Sequence, residues 1–488
     1  MKLNQIWLAT IAAAGFATAS WAADGDVTTN STDAGEVEAL KKEIQALEQK
    51  VNGLEQQQAP SQSSDQVQEL DQKVRVLERL RENDKDDAAA VAKTKPLVKL
   101  DSSGFTFSSA DTNFVVGLHG LIQLDSRTFV DTPPGFKQGN DNFLLRRARP
   151  IVTGTVFHDF DFNFTPDFGG STVQIVDAYL NYRYNQPLQL EAGKFKSPVG
   201  LEQLQSDTWL FFNERTLANN LVPNRDLGLE LHGDVFGGIA SYAAGVFDGT
   251  TDYNGTTANA DVDNNVAFAG RVFLLPFKKS NIDALQGFGV GVGGSYQHDE
   301  KNAGNLTPGY RTDGQQTFFT YAAGVVSDGR HWRISPQGYY YYGPFGFLGE
   351  YVISDQQVSS AVVTKQDLNN TAWEISAGWV LTGEADSYNG VTPSHPFDLG
   401  KGQWGAWQVV ARYAELNEDS DALANALVSA GSANEAKAWS VGLNWYLNRN
   451  IRANLSYSHT QFGDINGTAN AVTSKAENVI FTRIQLAF

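Results

Sequence analysis

Basic side chains recur on segments whose residues alternate between polar and apolar types. On a strict two-residue period, Arg147 and Arg149 share the polar face with Thr153 and Thr155, whereas Arg146 falls opposite, where a bend could turn it inward. A guanidinium presents a planar fork of donors that grips two oxygens of a phosphate or carboxylate. The pattern predicts a site for small oxyanions; interfacial anchoring or ion pairs within a protein wall are the alternatives.

More cations follow along the chain. Lys194 and Lys196 alternate with Phe195, which places both lysines on one face, and Arg215 and Arg225 lie in the next polar stretch. The two lysines could instead be a solvated strand end, and the two arginines could form salt bridges that fix a loop. The cluster is therefore a candidate binding site with a structural alternative for each member.

Signatures of enzymes and metal sites are missing. The sequence has no Gly-x-Ser-x-Gly, His-Glu-x-x-His or Walker motif, it contains no cysteine, and its seven histidines are scattered. The formal charge of −18 argues against nucleic acid as a partner. It also means that any preference for anions must come from local clusters. We therefore predict a protein that is not an enzyme and needs no cofactor.

The elements that must position these residues are β-strands. From Leu100 to Phe488 the chain shows sixteen alternating segments, among them one strand from Val152 to Phe164 and one near 316–327. No run of 18 apolar residues occurs after the N-terminal segment, and the last strand alternates up to a terminal aromatic residue. This pattern predicts an all-β fold, a 16-stranded antiparallel transmembrane β-barrel at residues 100–488. Long insertions at 249–264, 298–315 and 383–404 are expected outside the cell, opposite the short turns at 343–344 and 448–450.

The N-terminal quarter has a different organisation. Residues 1–22 have the charge, apolar stretch and small-residue ending of a signal peptide, and 23–35 read as a flexible N-terminus. Two short heptad seams over 36–82 predict coiled-coil segments of a periplasmic helix, with a monomeric amphipathic helix or a stalk as the alternative. Residues 83–99 are predicted to be a linker.

Seven motifs, in a consistent order, resemble the phosphate-selective porin O and P family. They are residues 143–150, 193–202, 212–217, 271–277, 379–384, 405–412 and 444–448. The resemblance implies a trimeric sixteen-stranded porin whose third loop, 197–225, folds into the pore. It places Arg146, Arg147 and Arg215 at the constriction, with Asp177 helping to orient them. Where phosphate-selecting members have lysines, this chain has Gln203 to Trp209, including Ser206 and Asp207, which puts phosphate specificity in doubt.

These observations favour an outer-membrane porin for passive diffusion of small solutes, preferring phosphate or similar anions. The proposed pore constriction comprises Arg146, Arg147, Arg215, Asp177, Ser206, Lys194, Lys196 and Arg225. The alternatives are a general porin for neutral or mixed nutrients and an envelope-tethering protein that uses its coiled coil. Expected partners are outer-membrane lipid and lipopolysaccharide, two further copies in a homotrimer, the barrel-assembly machinery through Phe488, and peptidoglycan or a periplasmic partner for the coiled coil.

Overall fold

A computed structural model describes residues 42, 45–50, 53, 63–130, 139–170, 172–252, 264–302, 306–463 and 476–488. The chain divides into two compact units, Met1–Lys93 and Thr94–Phe488. The predicted signal peptide, the flexible segment 23–35 and much of the first coiled-coil seam lie outside the described residues.

The N-terminal unit is helical wherever it is described. Helix α1 spans Ser63–Thr94, and on it Leu70, Val74 and Leu77, three positions of the second predicted seam, are half-buried. The helix continues through most of the segment 83–99 that is predicted to be a linker, because this stretch is alanine-rich and has high helix propensity. It ends just before Pro96, which disfavours helical backbone at the preceding residue. Within the described helices, no segment combines the length and hydropathy needed for a membrane span.

The second unit begins with a hairpin and continues into a closed barrel. The hairpin strands are β1 (Leu97–Asp101) and β2 (Gly104–Ser108), and β2 pairs with the start of the first barrel strand. Sixteen antiparallel strands then pair in sequence, and the last pairs with the first. The barrel strands are β3 (Phe114–Phe129), β4 (Asn142–Val156), β5 (Phe160–Asp167), β6 (Gln174–Asn185), β7 (Leu188–Lys196), β8 (Arg225–Val235), β9 (Ala240–Phe247), β10 (Ala267–Leu274), β11 (Phe288–Asn302), β14 (Val326–Tyr342), β15 (Phe345–Ser359), β16 (Gln366–Val380), β17 (Ala406–Asn417), β18 (Glu435–Tyr446), β19 (Ile451–Phe462) and β20 (Ala476–Ala487).

Smaller elements occupy the connections. They are strands β12 (Tyr310–Arg311) and β13 (Thr317–Phe319), which pair with each other, and helices α2 (Leu201–Leu204), α3 (Asp283–Gln286) and α4 (Ser420–Ala424). Two 3₁₀ turns span Leu217–Leu221 and Leu399–Lys401.

The predicted number of strands is confirmed, but two of the predicted strands are wrong. The segment Val152–Phe164 is two strands, β4 and β5, joined by a turn in which Phe157 and His158 adopt positive φ angles of 52° and 63°. The candidate at 316–327 is mostly loop, because the side chains of Phe318 and Phe319 are buried in a cluster with other loop residues instead of facing lipid. Treating β4 and β5 as one strand lowered the predicted number by one, and the extra strand at 316–327 raised it by one. The total therefore stayed at sixteen.

Alternation along the strands separates a lipid face from a lumen face. On β20, Ile480, Ile484 and Leu486 are exposed outward, whereas Arg483 and Gln485 are buried inside the barrel. The predicted alternation of the terminal strand is therefore confirmed. An outer apolar face and a polar interior are what a barrel needs when lipid surrounds it and water fills it.

The long insertion 383–404 lies at the opposite end from the one predicted. The amide of Asp386 donates to the carbonyl of Gly343 at 2.8 Å, and the amide of Phe397 donates to the carbonyl of Leu447 at 2.6 Å. The insertion therefore shares the end of the barrel with the short turns. Successive strands run in opposite directions, so the connection from β16 to β17 must return to the end where β14 meets β15. The length of a connection does not decide its side.

Candidate functional site

Residues 197–224, between β7 and β8, fold into the lumen. The barrel wall holds the backbone of this inserted loop from several directions: Gln337 donates to the carbonyl of Val199 at 2.7 Å, and Arg452 donates to that of Leu210 at 2.9 Å. The side chains of Leu201, Leu217 and Leu221 are fully buried. Because hydrogen bonds satisfy its backbone and apolar burial seats its side chains, the loop is a fixed part of the lumen.

A β-bulge brings both arginines of the Arg-Arg pair inside. In the pairing of β3 with β4, Gln123 lies opposite Arg147 and Leu124 lies opposite Leu145, which leaves Arg146 as the extra residue. An extra residue bends the strand and re-aims the neighbouring side chains. Arg146 and Arg147 therefore both line the lumen.

Asp207 of the inserted loop is the centre of an arginine cluster. Its carboxylate lies 3.2 Å from Nη2 of Arg147, 2.5 Å from Nη1 of Arg149 and 2.5 Å from Nη1 of Arg215. Burial alone would raise the pKa of Asp207, but Arg147, Arg215 and Arg149 together lower it well below the ordinary value. The carboxylate therefore stays charged and holds three guanidiniums together, one of them from the loop itself.

Glu214 organises a second group of arginines. Nε and Nη2 of Arg146 donate to its two carboxylate oxygens at 2.6 and 2.9 Å, and Nη2 of Arg127 donates at 2.9 Å. Burial would raise the pKa of Glu214, and the charges of Arg146 and Arg127 overcome that effect and lower it. Arg146 and Arg215 thus belong to two neighbouring ion-pair groups, each centred on a loop carboxylate.

The remaining predicted residues divide between the lumen and the wall. Asp177 does not orient Arg146, Arg147 or Arg215 as the resemblance implied; it accepts hydrogen bonds from Arg225 at 2.8 and 3.3 Å, because Arg225 starts the strand that follows the loop. Nζ of Lys196 donates to the carbonyl of Gln205 at 2.8 Å, so this lysine fastens the loop.

Ser206 is exposed, and its hydroxyl accepts from the amide of Thr208 at 3.3 Å. The expectation that Lys194 and Lys196 share an inward face opposite Phe195 is wrong. Phe195 contacts Tyr179 and Phe247 with ring centroids 6.1 and 5.6 Å apart, and it lines the lumen, whereas Lys194 does not line either chamber described next.

Two chambers meet at the arginine cluster. The outer chamber, of about 700 Å³, opens towards the long loops, and the inner chamber, of about 460 Å³, lies towards the short turns. Arg149, Asp207 and Arg225 line both, which identifies the constriction. Around the outer chamber seven arginines face three carboxylates, namely Arg127, Arg146, Arg147, Arg149, Arg215, Arg225 and Arg311 against Asp167, Asp207 and Glu214. Around the inner chamber three cations face four carboxylates, namely Arg149, Lys196 and Arg225 against Asp177, Glu191, Asp207 and Glu230.

The opposite side of the inserted loop packs against the wall. The amide of Leu201 donates to Glu350 at 2.8 Å, and Nη2 of Arg412 lies 2.8 Å from Asp313. Nη1 of Arg412 donates to the carbonyl of Glu214 at 2.8 Å and lies 3.9 Å from Glu202. Burial raises the pKa of Glu202 to about 7 against the opposing charge of Arg412. This side anchors the loop to the barrel wall.

Several members of the site were not among the predicted constriction residues. The two-residue period had placed Arg149 on the polar face, and Arg127 is on the polar side of its own alternating strand, so the same period could have identified it. Asp167 binds Nε of Arg149 at 2.7 Å through a contact between neighbouring strands, and nothing in its local sequence indicates that role. Among the described residues, no group of His, Asp or Glu side chains is arranged to hold a metal ion.

Comparison with known proteins places this geometry in a family. The family model for phosphate-selective porin O and P matches residues 116–488. Porin O of Pseudomonas aeruginosa is 26% identical over 412 residues, which cover 76% of this chain and 87% of that protein. The solved structure of the outer membrane channel DcaP of Acinetobacter baumannii shares the fold with a TM-score of 0.51 at 11% identity, over 80% of this chain and 99% of that one. The chain therefore belongs to the phosphate-selective porin O and P family and is an outer-membrane porin, a transport channel and not an enzyme.

Proposed function

We propose that this porin carries small anions by passive diffusion and that the outer chamber sets the preference. The observation that carries the proposal is the excess of arginines there, seven against three carboxylates around about 700 Å³ of lumen. A narrow, partly dehydrated space strengthens the attraction between fixed cations and an entering anion. The acidic net charge of the whole chain does not oppose this, since surface charges farther away than about 8 Å are screened at physiological salt.

The pairing at the constriction supports broad anion transport over tight selection of phosphate. Arg147, Arg149 and Arg215 already bind Asp207, so an oxyanion must compete with a fixed carboxylate for the same donors. Weak binding distributed over several sites allows release, which transport requires. We expect chloride, phosphate and small carboxylates to pass, with phosphate retained only weakly.

The experiment is a current measurement on single channels in planar bilayers. Inorganic phosphate added to a chloride solution should reduce the chloride current of the wild type, because both anions use the same arginines. The double variant Arg146→Gln, Arg147→Gln should need a several-fold higher phosphate concentration for half-block. Arg183→Gln, which removes an ion pair with Asp161 from a more exposed guanidinium, is the matched control and should behave as wild type. Equal phosphate block in all three proteins would contradict the proposal.

We propose further that the porin acts as a homotrimer in outer-membrane lipid and lipopolysaccharide. Phe488 would be recognised by the barrel-assembly machinery, and the N-terminal helical unit would contact peptidoglycan or a periplasmic partner. The exposed apolar positions on the outer wall, such as Phe143, Ile484 and Leu455, supply the surface for lipid or for neighbouring copies. The mass of the protein in mild detergent decides the oligomeric state, and deletion of residues 24–98 tests the role of the helix.

A further inference from the structure

A second group of lumen residues lies beyond the inner chamber, near the short turns. Arg271 and Phe273 of β10, Tyr339 of β14 and Tyr388 of the segment between β16 and β17 line a cavity of about 270 Å³, here called the aromatic cavity. A neighbouring cavity of about 200 Å³ shares Leu204 and Arg271 with it. That cavity also shares Lys196, Leu204 and Glu230 with the inner chamber. The shared lining residues place the aromatic cavity beside the inner chamber, on the same side of the constriction.

Arg271 differs from the arginines at the constriction. In the part of the chain that the structure describes, its one hydrogen bond runs from Nε to Oε1 of Gln337 at 2.9 Å. Its guanidinium carbon lies 4.4 Å from the centre of the Phe273 ring. Arg147, Arg149 and Arg215 each contact the Asp207 carboxylate instead. The Nη atoms of Arg271 are therefore available to an oxyanion without displacing a protein carboxylate.

Three rings form a rigid wall beside this guanidinium. The centroids of Phe273 and Tyr339 lie 5.0 Å apart, and Tyr339 stacks on Tyr388 at 5.3 Å with an interplanar angle of 25°. The hydroxyl of Tyr388 donates to the carbonyl of Leu201 at 2.6 Å, which fixes the third ring against the inserted loop. Aromatic faces of this kind favour a flat apolar group, since offset stacking adds attraction beyond that of area burial.

The other charges and the size of the cavity limit what it can hold. Lys278 lines it and donates to the carbonyl of Gly238 at 3.1 Å, and Asp234 lines it with the opposite charge. Arg271 and Lys278 therefore outnumber Asp234 among the lining charges, and the charge of Glu350 also acts on Arg271 without a salt bridge between them. A cavity of about 150 Å³ is enough for benzene, so about 270 Å³ accommodates one ring with a carboxylate.

We infer that the aromatic cavity is a second solute-binding subsite, which takes aromatic carboxylates through Arg271 and the rings of Tyr339 and Tyr388. The inference rests on the proposed function in one respect, that the lumen is the path of the solute. The carboxylate pairs with the Arg271 fork while the ring stacks on tyrosine. Binding there gives aromatic anions a longer residence than simple anions of equal charge.

The test compares benzoate with acetate as blockers of the chloride current. For the wild type, half-block by benzoate should occur at a lower concentration than half-block by acetate. Arg271→Gln should raise the half-blocking benzoate concentration about tenfold, which corresponds to about 1.4 kcal/mol. Arg271→Lys should have an intermediate effect, because it keeps the charge and loses the fork. Tyr339→Leu should bring benzoate close to acetate. Tyr342→Leu is the matched control, because Tyr342 belongs to the same strand and is 49% exposed on the outside.

Opposite outcomes separate this inference from the proposed function. If benzoate block is the same in the wild type, Arg271→Gln and Tyr339→Leu, the aromatic subsite is refuted. If acetate blocks as well as benzoate, the assignment to aromatic carboxylates is refuted. Loss of phosphate block in Arg146→Gln, Arg147→Gln with benzoate block retained supports two separate sites. If the channel prefers cations but benzoate block still depends on Arg271, the proposed function is refuted and the aromatic subsite is not.

Discussion

Two acidic residues of the inserted loop, five positions apart, have opposite electrostatic surroundings. Asp207 faces the open half of the lumen and contacts Arg147, Arg149 and Arg215. Glu202 faces the packed half, where Glu350 is a neighbour and Arg412 lies 3.9 Å away. The pKa of Asp207 is lowered well below its ordinary value although burial opposes this, whereas burial raises the pKa of Glu202 to about 7.

The difference shows how one loop can serve two purposes. Its open side carries a carboxylate that stays charged at neutral pH and organises the arginines. Its packed side carries a carboxyl group that titrates near neutrality and helps to seat the loop. Selectivity should therefore respond to substitutions on the open side, and stability and pH dependence to substitutions on the packed side.

The largest effect is expected from removal of the packed-side cation. Arg412→Leu leaves Asp313 and Glu202 buried without their guanidinium, and loss of one partner of a buried ion pair costs about 3–5 kcal/mol. Urea unfolding in detergent should show this loss, and single-channel records should show a noisier, larger and less selective conductance as the loop detaches. Arg330→Leu removes a guanidinium that is 46% exposed and should cost about 0–1 kcal/mol. Equal losses in the two variants would contradict the anchoring role.

The next effect concerns pH. Because the pKa of Glu202 is raised from 4.5 to about 7, the folded state binds this proton more tightly than the unfolded state. Its contribution to the free energy of unfolding is full below pH 4.5 and is lost as the pH rises to 7, at about 1.4 kcal/mol per pKa unit. Wild-type stability should fall over this interval, and Glu202→Gln should have a flatter profile. Glu435→Gln, on a more exposed carboxylate, should keep the wild-type slope.

Asp207→Asn should alter the selectivity of the channel. The amide keeps the shape of the side chain but removes the charge that three guanidiniums share, and a unit charge at about 4 Å in water amounts to about 1 kcal/mol. The ratio of anion to cation permeability should rise about fivefold. Glu202→Gln, on the packed side, should leave that ratio unchanged at neutral pH. If the two variants shift the ratio equally, the distinction between the two sides of the loop fails.

The smallest change is expected from Asp177→Asn. Asp177 contacts one guanidinium, that of Arg225, and its side chain is 20% exposed, so solvent screens its charge more than that of Asp207. The permeability ratio should rise less than twofold by the same measurement. Ser206→Ala is the control at the constriction and should change stability by about 0.5 kcal/mol or less. A shift from Asp177→Asn larger than that from Asp207→Asn would reverse the order proposed here.

Local patterns account for much of the fold. The two-residue period identifies the lipid and lumen faces, as the outward Ile484 beside the inward Arg483 shows. The bend at Arg146 was also predictable. Strict alternation would have placed its guanidinium on the lipid face, where a charged group is unfavourable. The turn at Phe157 to Asp159 escaped prediction because aromatic residues continue the alternation through it and no glycine or proline marks it.

Contacts between distant parts of the chain account for what could not be predicted. From the sequence, Asp207 is expected to weaken a basic site because its charge is negative. In the folded chain the inserted loop brings it into the lumen, where its carboxylate holds Arg147 and Arg149 together. Tyr339 and Tyr341 face inward while Tyr342 faces outward, so a run of four tyrosines serves two environments. Tyr388 reaches the lumen from a connection whose length alone indicated the opposite end of the barrel.

The zero-current potential of the wild-type channel in a potassium chloride gradient shows whether the arginines around the outer chamber select anions. We expect a potential with the sign of chloride preference at neutral pH, where the lowered pKa of Asp207 keeps its carboxylate charged among the arginines. A potential with the sign of potassium preference would contradict it.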